Sequence, residues 1–206
     1  MQTRTLKATV FVNALVPLAF LLHDAWTDRL GANPIDYVTR ATGTLTLCFL
    51  ALTLAVTPLR GLTGWSALNK LRRMIGLFAF FYGTLHMATY LWWDQGLALG
   101  DALADVAKRP FIAVGFAAWL IMVPLAVTST NGMVKRLGGK RWKRLHRLTY
   151  AAAGLGLVHF YLLLKVPTGK LWNYGAVIAV LLAARVASAL RKRRAQRGTM
   201  SRSAAL

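Results

Sequence analysis

Two histidines lie inside strongly apolar stretches of this sequence. His86 is seven residues before Trp93, and His159 is seven residues before Val166. A charged side chain at such a depth costs roughly 2.5–3.5 kcal/mol on membrane-insertion scales, so these residues usually face a protein interior and have a function. Imidazole nitrogens are common iron ligands, and two of them can fill the two axial positions of one haem.

A glycine precedes each of these histidines by three residues. Gly83 stands before His86 and Gly156 before His159, so each glycine shares a helix face with its histidine. A missing side chain one turn away predicts clearance for a flat macrocycle between two helices. Two alternatives stay open, namely that a membrane histidine only bonds a neighbouring helix and that the glycines only allow close helix packing.

The elements that would position these residues are long apolar helices. The chain has 206 residues, of which 56% are hydrophobic. A helix rises about 1.5 Å per residue, so stretches of about 20 residues cross the ~30 Å hydrocarbon core. We therefore predict an all-α integral membrane protein, a six-helix bundle that forms a single domain over residues 1–206. The predicted helices are about 8–26, 41–59, 74–93, 110–128, 148–166 and 172–190.

The basic residues are distributed unevenly between the loops. They concentrate at the amino end, in the loops after the second and fourth helices, and in a basic tail over residues 191–206, whereas the alternate loops hold all the aspartates. The positive-inside rule then predicts that both termini are cytoplasmic and that the tail lies near anionic lipid headgroups. The net charge is +20, but the basic residues stand between apolar stretches that are long enough to cross a membrane. This arrangement argues against a nucleic-acid partner.

This topology places the two histidines at one depth. The third and fifth helices cross in the same direction, so His86 and His159 both lie about 10 Å below the outer boundary. Parallel helices at that level predict that the two rings bind one haem b. An iron with two histidine ligands has no open position and favours electron transfer over oxygen chemistry. No C-x-x-C-H is present, so the haem is expected to be held without covalent attachment.

A third histidine lies at the basic boundary before the fifth helix. His146 precedes His159 by 13 residues, which turns a helix by about 220° and separates the two side chains onto different faces. The positions 13 and 14 before His86 are Arg73 and Arg72, and arginine is not an iron ligand. We predict an anionic, quinone or flavin headgroup near these three residues. A second redox site at His146, ordinary interfacial anchoring and lipid contact stay open.

Four stretches of the sequence resemble a known family. They are LRRMIGLFAFFYGTLHMATYLWWD, LAVTPLR, PLAVTST and LGGKRWKRLHRLTYAAAGLGLVHFYLLLK. They are similar to the MsrQ family (formerly YedZ), the haem-binding membrane subunits of the bacterial MsrPQ system, within the ferric-reductase-like transmembrane superfamily. The resemblance runs from the second predicted helix through the sixth.

The resemblance implies a six-helix bundle with haem b in the bacterial inner membrane, and FMN is also attributed to the family. It implies that electrons pass from the quinone pool to MsrP, a periplasmic molybdopterin enzyme that reduces methionine sulfoxide in proteins. The family's ligand positions match His86 and His159, and its third histidine matches His146. The chain would then be an electron-transfer subunit rather than the catalytic subunit.

The sequence departs from the superfamily's di-haem oxidases in two ways, and a second functional class remains as an alternative. The di-haem oxidases of the superfamily have a second histidine in the third helix and a flavin and nicotinamide domain, and this sequence has neither, so direct NADPH use is not expected. The rival class is a small membrane transporter or scaffold without a redox cofactor. A transporter predicts broken helices at mid-membrane, and a scaffold leaves both membrane histidines without a purpose. Arg185, within the sixth predicted helix, is expected to snorkel toward the membrane surface.

Overall fold

The computed structural model describes residues 2–164 and 169–203, whose regular structure is helical throughout. The helices in these residues, in chain order, are α1 (Gln2–Trp26), α2 (Pro34–Thr63), α3 (Leu68–Thr89), α4 (Leu99–Lys108), α5 (Pro110–Val127), α6 (Asn131–Leu137), α7 (Gly139–Leu145), α8 (Leu148–Leu163) and α9 (Gly169–Ser203). A π-helical turn over Tyr90–Asp94 continues α3.

Five of the described helices are long and apolar enough to cross a membrane, namely α1, α2, α3 with its π-helical turn, α5 and α9. The all-α class is therefore confirmed for the described residues, with five candidate membrane spans. The fifth predicted helix corresponds to α8, which has 16 residues, and its predicted end at 166 lies outside the described residues. The count of six crossings and the orientation of the termini stay predictions. The sixth predicted helix lies within α9, whose backbone stays helical into the basic tail as far as Ser203.

The second helix begins earlier than its apolar stretch. The side chain of Asn33 accepts a hydrogen bond from the backbone N–H of Asp36 at 3.1 Å, and Pro34 occupies the first turn. Both residue types are preferred at these positions. Gly64 ends the helix in the left-handed region, with φ 69°. Hydropathy alone located 41–59 because it does not register these polar capping residues.

The bundle is assembled from two antiparallel helix pairs. In the first pair α2 packs along α3, and in the second α5 packs along α8. The hydroxyl of Thr39, near the start of α2, donates to that of Thr89, at the end of α3, across 3.2 Å. The two pairs meet where α3 contacts α5 and where α2 contacts α8. Phe49 and Tyr82 stack in the core, with ring centroids 5.3 Å apart.

The two ends of the bundle differ in charge. The acidic end comprises the end of α1 and the turn after it, the start of α2, the end of α3, α4 and the start of α5. There, Asp105 accepts hydrogen bonds from the Tyr90 hydroxyl at 3.1 Å and from the Gln95 amide at 3.2 Å, and it pairs with Arg109 at 3.0 Å. The basic end comprises the start of α3, α6, α7 and the start of α8. A bond of 2.7 Å from Arg73 to the side chain of Asn131 joins α3 to α6 at this end.

Arg185 is turned into the bundle, so the snorkelling prediction is wrong. Its guanidinium donates to the Tyr150 hydroxyl at 2.7 Å and to the Thr57 hydroxyl at 2.5 Å. It also lies 3.5 Å from the carbonyl oxygen of Leu54. That carbonyl lacks its usual helix donor, because Pro58 stands four residues later and proline has no N–H. Arg185 therefore donates hydrogen bonds to polar groups of α2 and α8 inside the bundle.

The first testable consequence concerns the hydrogen bond that joins α3 to α1. The hydroxyl of the fully buried Tyr82 donates to the carbonyl oxygen of Ala14 at 2.7 Å. We expect Tyr82→Phe to lower the free energy of unfolding by about 1 kcal/mol, because it leaves a buried carbonyl with one bond fewer. Denaturation in mixed micelles measures the change. Tyr161→Phe, at a side chain 55% exposed, is the control, and equal losses in both variants would contradict this account.

The second consequence is a coupling between Arg185 and Pro58. Arg185→Met should lower the free energy of unfolding. In a Pro58→Ala background, where residue 58 again offers an N–H to the Leu54 carbonyl, this decrease should be smaller by on the order of 0.5 kcal/mol. A double-mutant cycle in the same micelles measures this difference. Pro124→Ala changes another in-helix proline and should leave the cost of Arg185→Met unchanged. A coupling of zero with Pro58→Ala would show that the carbonyl contact contributes nothing.

Candidate functional site

The structure brings His86 and His159 together. Their ring centroids are 5.9 Å apart, and the ring planes are inclined at 78°. His86 lies in α3 and His159 in α8, so each helix pair contributes one ring. The rings meet in the half of the bundle nearer the acidic end, beside the first turns of α2 and α5.

Each ring is fixed by a helix carbonyl of its own pair. The Nδ1 atom of His86 lies 2.9 Å from the carbonyl oxygen of Thr39 in α2. The Nδ1 atom of His159 lies 2.7 Å from the carbonyl oxygen of Phe111 in α5. A carbonyl only accepts, so we assign the ring proton to Nδ1 in both histidines. Both Nε2 atoms then keep a free lone pair.

This arrangement fits a metal between the rings. A bond from a metal to an imidazole nitrogen is about 2 Å long, so one ion between two Nε2 atoms places the ring centres roughly 6 Å apart. A ligand histidine usually donates its other N–H to a carbonyl or carboxylate, as both rings do here. Within the described residues no group of three or more His, Cys, Asp or Glu side chains could hold a metal ion. Two protein ligands suit an iron whose other ligands come from a macrocycle.

The glycines predicted to give clearance face packed side chains. A Cβ on Gly83 would lie 3.0 Å from Cε of Met122 and 3.4 Å from Cγ2 of Thr46. A Cβ on Gly156 would lie 3.6 Å from Cδ1 of Leu47. Close helix packing, the alternative that the sequence left open, accounts for these contacts. The haem-clearance role of both glycines stays a prediction.

Two other glycines touch the rings, and sequence reasoning missed them. Gly43 of α2 faces His86, and Gly115 of α5 faces His159. Both lie within three turns of a helix start at the acidic end, at a depth similar to that of the histidines. A search for glycines at matching depth on the antiparallel helices would have found them.

A pocket of about 670 Å³ opens at the basic end of the bundle. The cations that line this basic-end pocket are Arg72, Arg73, Lys135 and Lys143. His146 lines it beside them, and its deeper wall is apolar, with Phe80 and Met122 among the contributors. No acidic side chain is among the described residues that line it. The structure therefore assembles the three residues that the sequence grouped around a headgroup, namely His146, Arg72 and Arg73.

His146 lies in the turn between α7 and α8. Its ring stacks on Trp142, with centroids 3.8 Å apart, and its Nε2 atom is 3.1 Å from the Thr128 hydroxyl. That hydroxyl donates to the carbonyl oxygen of Pro124 at 2.6 Å, so we assign the ring proton of His146 to Nε2. The rotation of about 220° assumed a continuous helix from His146 to His159, whereas α8 begins at Leu148. The two histidines 13 residues apart serve different ends of the bundle.

The surroundings of His146 keep its ring neutral. Burial, followed by the positive charges of Arg72 and Arg73, lowers the pKa of His146 to about 4. At neutral pH the ring is therefore unprotonated at Nδ1, which can accept a hydrogen bond from a donor in the basic-end pocket.

Comparison with known proteins agrees with these features. The family described as "Ferric reductase like transmembrane component" matches residues 41–157, more than half of the chain. The match begins in α2 and ends in α8, two residues before His159.

Several proteins named "Protein-methionine-sulfoxide reductase heme-binding subunit MsrQ" are similar over most of the chain. The one from Herminiimonas arsenicoxydans is 52% identical over 93% of this chain and 89% of its own length. The one from Ralstonia nicotianae is 52% identical over 89% of this chain and 85% of its own length. The one from Rhodospirillum rubrum is 48% identical over 93% of this chain and 92% of its own length. The chain therefore belongs to the MsrQ family of ferric-reductase-like transmembrane proteins.

Proposed function

We propose that this chain binds one haem b through His86 and His159 and acts as the membrane electron-transfer subunit of a methionine sulfoxide reductase system. The observation that carries the proposal is the pair of neighbouring imidazoles, with ring centroids 5.9 Å apart and each Nδ1 atom held by a helix carbonyl. The relatives' printed name, which calls them heme-binding subunits, supports it. A haem held by His86 and His159 would supply reversible one-electron exchange.

The chain's own residues bind and orient the cofactor. The carbonyls of Thr39 and Phe111 select one tautomer of each ring and leave Nε2 as the nitrogen available to a metal. Because both Nδ1–H groups are satisfied inside the bundle, neither ring needs water at this depth. His86 and His159 come from different helix pairs, so the site is complete only when the pairs are packed together.

Electrons leave at the acidic end in this proposal. The histidines lie nearer that end, and the aspartates are confined to it, among them Asp101 and Asp105 of α4. The Lys and Arg distribution supports an acidic end on the periplasmic side of the inner membrane, with both termini in the cytoplasm. The partner docked there is a periplasmic molybdopterin enzyme of the MsrP type. That partner reduces methionine sulfoxide in proteins, so this chain is not the catalytic subunit.

Electrons enter at the basic-end pocket. Its size suits a ring headgroup, its apolar wall suits the attached tail, and its cations suit a negatively charged or polar oxygen. The neutral His146 offers Nδ1 as an acceptor for a hydroxyl. Two donors fit this chemistry, a quinol from the quinone pool and reduced FMN, and FMN is included through the family resemblance only. Lipid headgroups contact the same basic end.

The third prediction tests the ligands. His86→Ala and His159→Ala should each lower the haem-to-protein ratio at least tenfold, because one axial bond is lost. The reduced-minus-oxidised spectrum of the purified chain and a haem assay measure this. The matched control is His23→Ala, at an exposed histidine outside the bundle core, and it should keep the wild-type ratio. Colourless wild-type protein would favour the transporter or scaffold class, and full haem content in both ligand variants would reject the assignment.

The fourth prediction tests the basic-end pocket. Arg72→Gln and Arg73→Gln should each lower kcat/KM for haem reduction by a soluble quinol at least tenfold, since a charge-assisted hydrogen bond contributes about 1.5–3 kcal/mol. The dithionite-reduced spectrum should not change, because the ligands lie elsewhere. Lys70→Gln, a neighbouring basic residue that does not line the pocket, is the control. Wild-type quinol kinetics in both arginine variants would place the donor site outside this pocket.

A further inference from the structure

The two glycines that touch the histidine rings occupy equivalent positions. Gly43 lies four residues after Thr39, whose carbonyl accepts from His86. Gly115 lies four residues after Phe111, whose carbonyl accepts from His159. The same spacing therefore recurs in α2 and α5, although the surrounding residues differ.

Helix geometry explains this spacing. In an α-helix the carbonyl of a residue points toward the N–H of the residue four positions later. The side chain of that later residue leans toward the helix amino end and covers the turn that precedes it. It therefore shields the carbonyl, which still has one lone pair free. A glycine four positions later removes the shield and lets a ring from another helix reach the oxygen.

The distances show that a Cβ at either position would press on the histidine ring, and more severely at Gly115 than at Gly43. A Cβ on Gly43 would lie 3.1 Å from both Cε1 and Nδ1 of His86. A Cβ on Gly115 would lie 2.7 Å from Nδ1 and 2.9 Å from Cε1 of His159, below the 3.0 Å that real Cβ contacts keep. His86 could accommodate an added methyl by a shift of a few tenths of an ångström. His159 would have to move farther, which would lengthen its bond to the carbonyl of Phe111.

We propose that Gly43 and Gly115 are the positioning residues of the two ligand histidines. Each opens one helix carbonyl to a ring Nδ1–H, and this bond fixes the direction of the Nε2 lone pair. The proposal rests on the proposed function in one respect, namely that Nε2 of each ring binds the haem iron. Neither glycine touches the iron, and both act through the imidazole.

This role predicts an electronic effect as well as a steric one. An imidazole whose Nδ1–H is bonded to a carbonyl donates more electron density through Nε2. A weakened bond makes the ring a poorer donor and stabilises the oxidised iron less. The midpoint potential of the haem should then rise, which a purely structural packing role would not produce.

The test compares Gly43→Ala and Gly115→Ala with two control substitutions in the full-length chain. Gly61→Ala in α2 and Gly154→Ala in α8 place a methyl in open space. Alanine is the better helix former at every one of these positions, so a loss cannot come from weakened helices. The readouts are haem per protein, the redox midpoint potential and the low-spin electron paramagnetic resonance signal of the oxidised haem.

We expect Gly115→Ala to lower the haem-to-protein ratio at least tenfold, and Gly43→Ala to keep haem with a raised midpoint potential and a shifted resonance signal. Both controls should match the wild type. If Gly115→Ala fails to yield monodisperse protein, the midpoint potential and resonance signal of Gly43→Ala alone test the proposal. A wild-type potential and signal in Gly43→Ala, or equal shifts in the controls, would overturn the proposal. If His86→Ala and His159→Ala keep their haem, the proposed function fails; if they lose it while Gly43→Ala is unchanged, only this inference fails.

Discussion

The hydrogen bond from each interior imidazole to a helix carbonyl is the contact that the candidate site depends on. At the depth of His86 and His159 the bundle is apolar, and an unpaired N–H there costs several kcal/mol. The acceptors used are the carbonyls of Thr39 and Phe111. Reaching them requires two antiparallel pairs, each placing the early turns of one helix beside the late turns of the other. Ring orientation, glycine placement and helix pairing therefore follow from the same constraint.

The same need to satisfy interior polar groups shapes the other half of the bundle. Proline at position 58 leaves the carbonyl of Leu54 without its helix partner, and Arg185 lies against that oxygen while bonding Thr57. A hydroxyl reaching a backbone carbonyl joins α3 to α1 through Tyr82. Interior polar contacts of this kind specify which helices meet, since hydrophobic attraction between helices is weak in lipid.

The sequence was sufficient for the features that depend on composition and depth. Hydropathy located the long helices, and counting from their outer ends brought His86 and His159 to one level. It could not reveal which neighbour each glycine faces, because that depends on helix rotation; Gly83 and Gly156 meet packed side chains, while Gly43 meets a ring. It also misjudged Arg185, since its inward acceptors become visible only once α2, α8 and α9 are packed together.

The division of the two rings between two helix pairs has a consequence for assembly. Each pair can form from its own contacts, and each carries its histidine already bonded to a carbonyl. A cofactor that bonds to both rings then acts as a cross-link between the halves, and its binding free energy adds to their cohesion by mass action. A bundle without the cofactor would lack this cross-link, and its halves would be joined only by packing and by polar contacts such as those of Arg185 to Thr57 and Tyr150.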